Sequence, residues 1–463
     1  MPAVLARRPQ FGVSLTELEA ERATLGSLFG IPQVESVWLL RAAADTPGPL
    51  TVLGSATISE GTETIFIVDP YGGRWPVLYG SGEPLGGGWA PLLVRPAVIL
   101  DSNVASRLAL WVNQDPSRQT QFDSLLRTLV GRIAAGSADV GSLFYAIETS
   151  TNDVRGKSEP HVRAAARASI TLRTMDRSRF LATGELAQSH DAMGELLASH
   201  GVANLDAAVD REVEAMIGGD RMRLPLMAAL TQAVLLKAAL LVGERLGEAS
   251  GAAAGGSAAH GSSATLDPEG AIAVGRAVWQ FQRDVIGLIT ARDRAVVLAL
   301  VSGALDDQVR PPQRGVGQGS LSERLRQIRA TAWDLALQRV PDLFLSASPT
   351  REPTVACYVT MDKGLEAVAR AVTTRGVAMI DRGVGGDPTR QTLALLAVDP
   401  TRLGSGTSHA RVVETLLGEA GIDRERRRVG VPGEPLLSLP AARQLVGDLE
   451  REYRARCTSS GTP

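Results

Sequence analysis

Apolar and polar positions divide the chain into stretches of different character. Over the first 95 residues, short apolar runs recur: VESVWLL (34–40), PLTVLGSATI (49–58), TIFIVDP (64–70) and RWPVLYG (74–80). The turn clusters TPG, YGG and GGG punctuate them. β-Branched and aromatic residues bounded by Gly and Pro predict strands, so 1–95 reads as a small mixed or mostly β module. A helix is predicted ahead of these runs over 14–29, with Ser14 at its N-cap and Glu17 at capping-box spacing.

The pattern changes at VRPAVILDSNVASRLALWV (94–112). An apolar run over 97–100 ends in Asp101, and helical spacing follows. That is the pattern of a buried strand feeding a helix in a parallel α/β sheet. Helices are expected next over 118–135 and 139–149. Residues 150–340 are mostly of helical period, with candidates at 160–176, 185–198, 204–217, 222–247, 268–305 and 321–339. The Gly/Ala/Ser-rich stretch 247–265 carries no bulky apolar residue, cannot offset its ordering entropy, and reads as a flexible loop. A second loop is expected over 306–320. Strands then return at TVACYVT (354–360), VAMID (377–381) and TLALLAVD (392–399), with a helix at MDKGLEAVARAV (361–372) and closing helices at 408–420 and 437–456. The expected organisation is an α/β domain built from 96–150 and 321–463, interrupted by a helical insertion over 151–320 and preceded by the 1–95 module.

Composition narrows the function classes. A chain of 463 residues has room for two or three domains. Its formal charge of −2 argues against a constitutive polybasic nucleic-acid binder, although an acidic site can cancel basic surface in that total. The two cysteines, Cys357 and Cys457, supply neither a Cys-x-x-Cys motif nor a disulfide framework, which fits a cytoplasmic, reducing setting. The five histidines show no metal-ligand spacing, so a structural zinc site is not expected. No stretch reaches the roughly 18 uninterrupted apolar residues of a membrane span, and the N-terminus has no signal-peptide core.

The chemistry lies in the acids. Asp101 and Asp362 each follow a predicted strand, at the sheet edge where α/β proteins form ligand crevices. Glu148 ends one predicted helix and Asp334 stands late in another, where the helix dipole does not favour an acid. No basic residue stands three or four positions from Asp334 to pair with it locally. Four converging carboxylates would repel unless a divalent cation neutralised them, and hard oxygen ligands favour Mg2+ or Mn2+. Taken singly, each acid has a plainer role: Asp101 and Asp362 as helix N-caps, Glu148 and Asp334 as solvated carboxylates.

ILDSNVAS (99–106) resembles the opening motif of PIN-domain proteins, an apolar strand followed by Asp-x-Asn. YVTMDKGL (358–365) resembles their later strand-Thr-x-Asp motif, FYAIETS (144–150) the helix bearing the second acid, and TAWDLALQ (331–338) the helix bearing the third. The order along the chain also matches. The resemblance implies a PIN-like parallel sheet flanked by helices and a Mg2+- or Mn2+-dependent endoribonuclease, of the kind that serves as a stress, toxin or defence effector. Asp101, Glu148, Asp334 and Asp362 would then be the catalytic metal ligands. Asn103 would hold Asp101 in place, and Thr360 would support the loop carrying Asp362. RNA would be the substrate, with DNA the variant seen in some relatives. An inhibitory protein partner and a homodimer follow from the same comparison.

Compact members of that family are much shorter, and here a long insertion separates Glu148 from Asp334. Asp293, in TARDRAVVLAL, competes with Asp334 as the third acid. Arg155, Lys157 and Lys363 are candidate phosphate contacts, and the basic stretch 153–179 could flank the site and steer a polyanion. For any single Arg there, a solvated helix face is the simpler reading. RERRR (424–428) is a second basic run of the same kind. Two other functions stay open. One is a non-catalytic PIN-fold binding protein. The other is a haloacid-dehalogenase-type phosphatase with Asp101 as nucleophile, although Asn103 stands where that family needs a second Asp.

Overall fold

The computed structural model describes residues 34–42, 55–71, 74–80, 90–91, 95–113, 121–141, 143–152, 159–218, 223–252, 266–286, 291–301, 320–341, 354–381, 390–398 and 437–458, with isolated positions between them. The expected helix over 14–29 lies outside the described residues, as do most of the 247–265 and 306–320 loops and nearly all of the 408–420 helix, while 247–252, expected in the first loop, is helical.

Among the described residues, ten strands form two five-stranded sheets. In chain order they are β1 (Val34–Ala42), β2 (Ala56–Glu60), β3 (Glu63–Val68), β4 (Arg74–Gly80), β5 (Ala90–Pro91), β6 (Arg95–Leu100), β7 (Asp139–Gly141), β8 (Thr354–Thr360), β9 (Val372–Asp381) and β10 (Arg390–Val398). One sheet is antiparallel in the order β10-β9-β1-β4-β5. The other has the order β2-β3-β8-β6-β7 and carries the acidic motifs.

In this second sheet β6 runs parallel to both β7 and β8, with Ile99 opposite Tyr358 and Leu100 opposite Val359. The expected parallel sheet is therefore present as three strands. It is completed into a mixed sheet by the antiparallel β2–β3 hairpin, through the β3–β8 pairing. The hairpin turns at Gly61, whose φ of 59° falls in the left-handed region open to glycine. The strands of the 1–95 block thus do not stay within it. β3 pairs with β8 in one sheet, and β1 pairs with β9 in the other.

Alternation along the strands assigns the faces of the mixed sheet. Val98, Leu100, Val355, Cys357 and Val359 join one core with residues of α1 (Ser102–Asn113) and α2 (Gln121–Ala135). Ala97, Ile99, Ala356 and Tyr358 join another, with Ile147 from α3 (Leu143–Asn152) and with Trp333, Ala336 and Leu337. By the same alternation Asp101 and Thr360 belong to this second face.

Helices α4 (Glu159–Arg173), α5 (Arg177–Thr183), α6 (His190–His200), α7 (Leu205–Gly218) and α8 (Arg223–Ala252) follow. The pattern expected as one helix over 268–305 is divided into α9 (Pro268–Phe281), a π-helical turn at Gln282–Ile286, and α10 (Ala291–Val301). α11 (Leu321–Leu337), α12 (Lys363–Ala371) and α13 (Leu439–Thr458) complete the described helices. α8 is long and apolar enough to cross a membrane over Leu224–Leu246, yet 67% of its most apolar window is buried inside the fold. It is the spine of a helical core that also takes residues from α9, α10, α11, α12 and α13. The helical insertion therefore packs on elements that follow it in the chain, including the helix bearing Asp334.

Candidate active site

β6 and β8 end side by side, which brings Asp101 next to the loop carrying Asp362. The Asp101 N–H donates to the Val359 carbonyl at 2.9 Å, extending the strand pairing by one residue. The Asp101 side chain is fully buried. One carboxylate oxygen accepts the Val104 N–H at 2.6 Å and the other accepts the Met361 N–H at 3.1 Å. Asp101 therefore caps α1 and at the same time staples the two strand ends together.

Thr360 is fully buried and connects both acids. Its hydroxyl oxygen accepts the Asp362 N–H at 3.0 Å and bonds to the Asp101 carboxylate. Asp362 caps α12, its carboxylate accepting the Leu365 N–H at 3.0 Å. Both acids thus fill the plainer capping role, without leaving the shared sheet edge.

Glu148 reaches this edge from α3. The hydroxyl of Ser102 donates to its carboxylate, tying α3 to the first residue of α1. Asp334 comes from α11. Gln338, just past the end of α11, donates from its side chain to the Leu365 carbonyl at 2.9 Å and so fixes that helix against α12.

The four acids lie within electrostatic range of one another. Burial pushes the Asp334 carboxyl well above the usual range, and the charges of Asp101, Glu148 and Asp362 push it further. Burial also raises Asp101, against its bonds to Thr360, Val104 and Met361, with the Asp362 charge adding to the rise. Glu148 is raised by burial, opposed by the Ser102 bond and reinforced by Asp101. All three shifts are the expected response of carboxylates withdrawn from water among like charges. Among the described residues, no group of three or more His, Cys, Asp or Glu forms a ready-made metal shell. The acids feel one another's charge without forming such a group.

The other candidates divide. Asn103 is exposed, and among the described contacts none joins its side chain to Asp101. The Val104 and Met361 amides and the Thr360 hydroxyl do the holding instead. Lys363 is exposed at the start of α12, beside Asp362. Arg155 and Lys157 lie outside the described residues, and so does the side chain of Asp293, whose backbone is in α10. In the basic stretch, Arg173 pairs with Glu212 and Arg179 with Glu185, both at 2.9 Å, while Arg163 and Arg167 pair with Asp210 and Asp206. These four arginines are spent on acids of the helical insertion, so the simpler solvated-face reading fits them.

Two residues of the site were not singled out from the sequence. Ser102 carried a signal, since it stands between Asp101 and Asn103 in the motif itself. Tyr358 carried none, because a strand Tyr two residues before Thr360 reads as core. Its phenol is fully buried beside Thr360, and it feels the charges of Asp101, Asp334 and Asp362. Compared with protein-family models, with characterised proteins and with solved structures, the chain finds no match.

Proposed function

We propose that this protein is a divalent-metal-dependent nuclease of the PIN type, acting on RNA. The observation that carries the reading is the meeting of Asp101 and Asp362 at the ends of two paired strands, linked through Thr360 and the Met361 amide, with Glu148 and Asp334 close enough for their charges to be felt. A set of like charges partly withdrawn from water is unfavourable for folding, so its presence points to a role in function. The donor set fits a hard cation, being all carboxylate oxygen with no soft ligand.

Asp101, Glu148, Asp334 and Asp362 would hold Mg2+ or Mn2+. When bound, such an ion lowers the pKa of a water and stabilises charge on a phosphodiester. The chain's own part is to fix the donors. The Val104 and Met361 amides hold Asp101, Ser102 holds Glu148, and Thr360 with the α12 amides holds Asp362. Rigid donors lose little freedom when they engage a ligand.

The test is cleavage of an end-labelled RNA with Mn2+ or with EDTA. Mn2+-dependent cleavage that falls at least a hundredfold in both Asp101→Asn and Asp362→Asn is expected, by analogy with other charge-stabilising groups worth about 10²–10³ in rate. Wild-type cleavage in those variants would reject the reading. A phosphate ester trapped on Asp101 would favour the phosphatase alternative.

A further inference from the structure

Thr360 links Asp101 with the loop that carries Asp362, and its hydroxyl has a fixed capacity of one proton and two lone pairs. One lone pair takes the Asp362 N–H at 3.0 Å. The proton goes to Asp101, because an ionised carboxylate, the form that can hold a metal, only accepts. One lone pair is left over. Thr360 is fully buried, so bulk water does not fill it.

The group in place to fill it is the phenol of Tyr358. Tyr358 and Thr360 are two residues apart on β8, so their side chains rise on the same face of the sheet. The phenol is fully buried beside Thr360. Its ring packs in the cluster that holds Ile99, Ile147, Trp333 and Leu337. Ile99 stands two residues before Asp101, while Ile147 and Trp333 immediately precede Glu148 and Asp334. The ring therefore lies among the elements that carry the acids, where close packing leaves it little room to reorient. A ring that served the core alone would need no oxygen. A buried O–H without an acceptor is costly, and buried tyrosines as a rule find one.

We propose that Tyr358 is a positioning residue of the acidic site, its phenol donating to the Thr360 Oγ and so aiming the Thr360 proton at Asp101. Hydrogen bonds in series polarise one another, so the chain from Tyr358 through Thr360 to Asp101 is stronger than its separate bonds. Tyr358 touches neither metal nor substrate in this role and acts through Thr360. Groups that stand behind metal ligands in this way typically carry about 10–100-fold of the metal affinity. The proposal rests on the reading of the four acids as metal ligands, and it does not require that the bound metal cleave RNA.

The experiment titrates the full-length protein with Mn2+ and follows the free ion by electron paramagnetic resonance. Tyr358→Phe keeps the ring and is expected to bind Mn2+ about tenfold more weakly, with unchanged far-UV circular dichroism. Thr360→Val should lose at least as much. Adding Tyr358→Phe to Thr360→Val should cost nothing further, because the chain is already broken, whereas a ring that only packed would give additive losses. Thr360→Ser keeps the hydroxyl and should keep both the affinity and its dependence on Tyr358. Wild-type affinity in Tyr358→Phe would overturn the proposal, as would additive losses in the double variant or no Mn2+ binding by wild type. Tyr358-dependent Mn2+ binding without any RNA cleavage would strike the nuclease and leave the positioning role standing. Mn2+-dependent cleavage with Mn2+ affinity indifferent to Tyr358→Phe would do the reverse.

Discussion

Replacing Asp334 by Asn is expected to make the metal-free protein more stable at neutral pH. Asp334 is half-buried and feels Asp101, Glu148 and Asp362. At an effective dielectric of about 20, two like unit charges about 8 Å apart repel by roughly 2 kcal/mol. Partial protonation relieves part of that, so the net gain from a neutral, nearly isosteric amide is set at about 2–4 kcal/mol. In a chain this long it corresponds to a rise in Tm of several degrees. The pH dependence has a definite sign. Asp101, Glu148 and Asp334 all titrate above their ordinary values in the folded protein. Their protonated forms therefore favour the fold. Their contribution to stability is greatest below the ordinary carboxylate range and is lost as pH rises through the raised values. Asp334→Asn should flatten that fall. Thermal denaturation in EDTA, followed from mildly acidic to mildly alkaline pH, measures both effects. A variant less stable than wild type at neutral pH, with the pH dependence unchanged, would refute the claim of convergent, uncompensated charge.

Other expectations follow from the same structure. Tyr358→Phe removes a fully buried hydroxyl beside Thr360, so the metal-free protein should change in stability by less than about 1.5 kcal/mol in urea denaturation. A larger loss would show that the phenol holds a bond worth more than an ordinary neutral one. Gly275→Ala would place a methyl 2.7 Å from one Leu416 terminal carbon and 3.2 Å from the other, so despite alanine's better helix propensity it should destabilise by about 1–2 kcal/mol. A stabilised variant would show that Leu416 gives way freely. Burial pushes the Cys357 thiol well up, whereas Cys457 is only partly buried. A thiol reagent should therefore label Cys457 in the native protein and reach Cys357 only on denaturation, as read by peptide mass.

Local pattern was enough for the elements that frame the site. The run ending in Asp101 is β-like because Ala97, Val98, Ile99 and Leu100 are all buried on one face or the other. The same holds for β8, and each strand is followed by an acid that caps a helix. Such information lies within a few residues and survives in the sequence. The helical character of 150–340 was legible for the same reason, although the π-helical turn after α9 was not.

What the sequence could not determine was which distant segments meet. The β2–β3 hairpin reads as part of an N-terminal module, and nothing in its own residues names β8 as its partner, because backbone hydrogen bonds are alike for every strand. Glu148 and Asp334 looked like ordinary helix acids, separated by the whole insertion. Only the packing of α3 and α11 on one face of the mixed sheet sets them beside Asp101 and Asp362. Carboxylates become costly, and chemically useful, when burial and neighbouring charge act on them together, and both of those are properties of the folded chain.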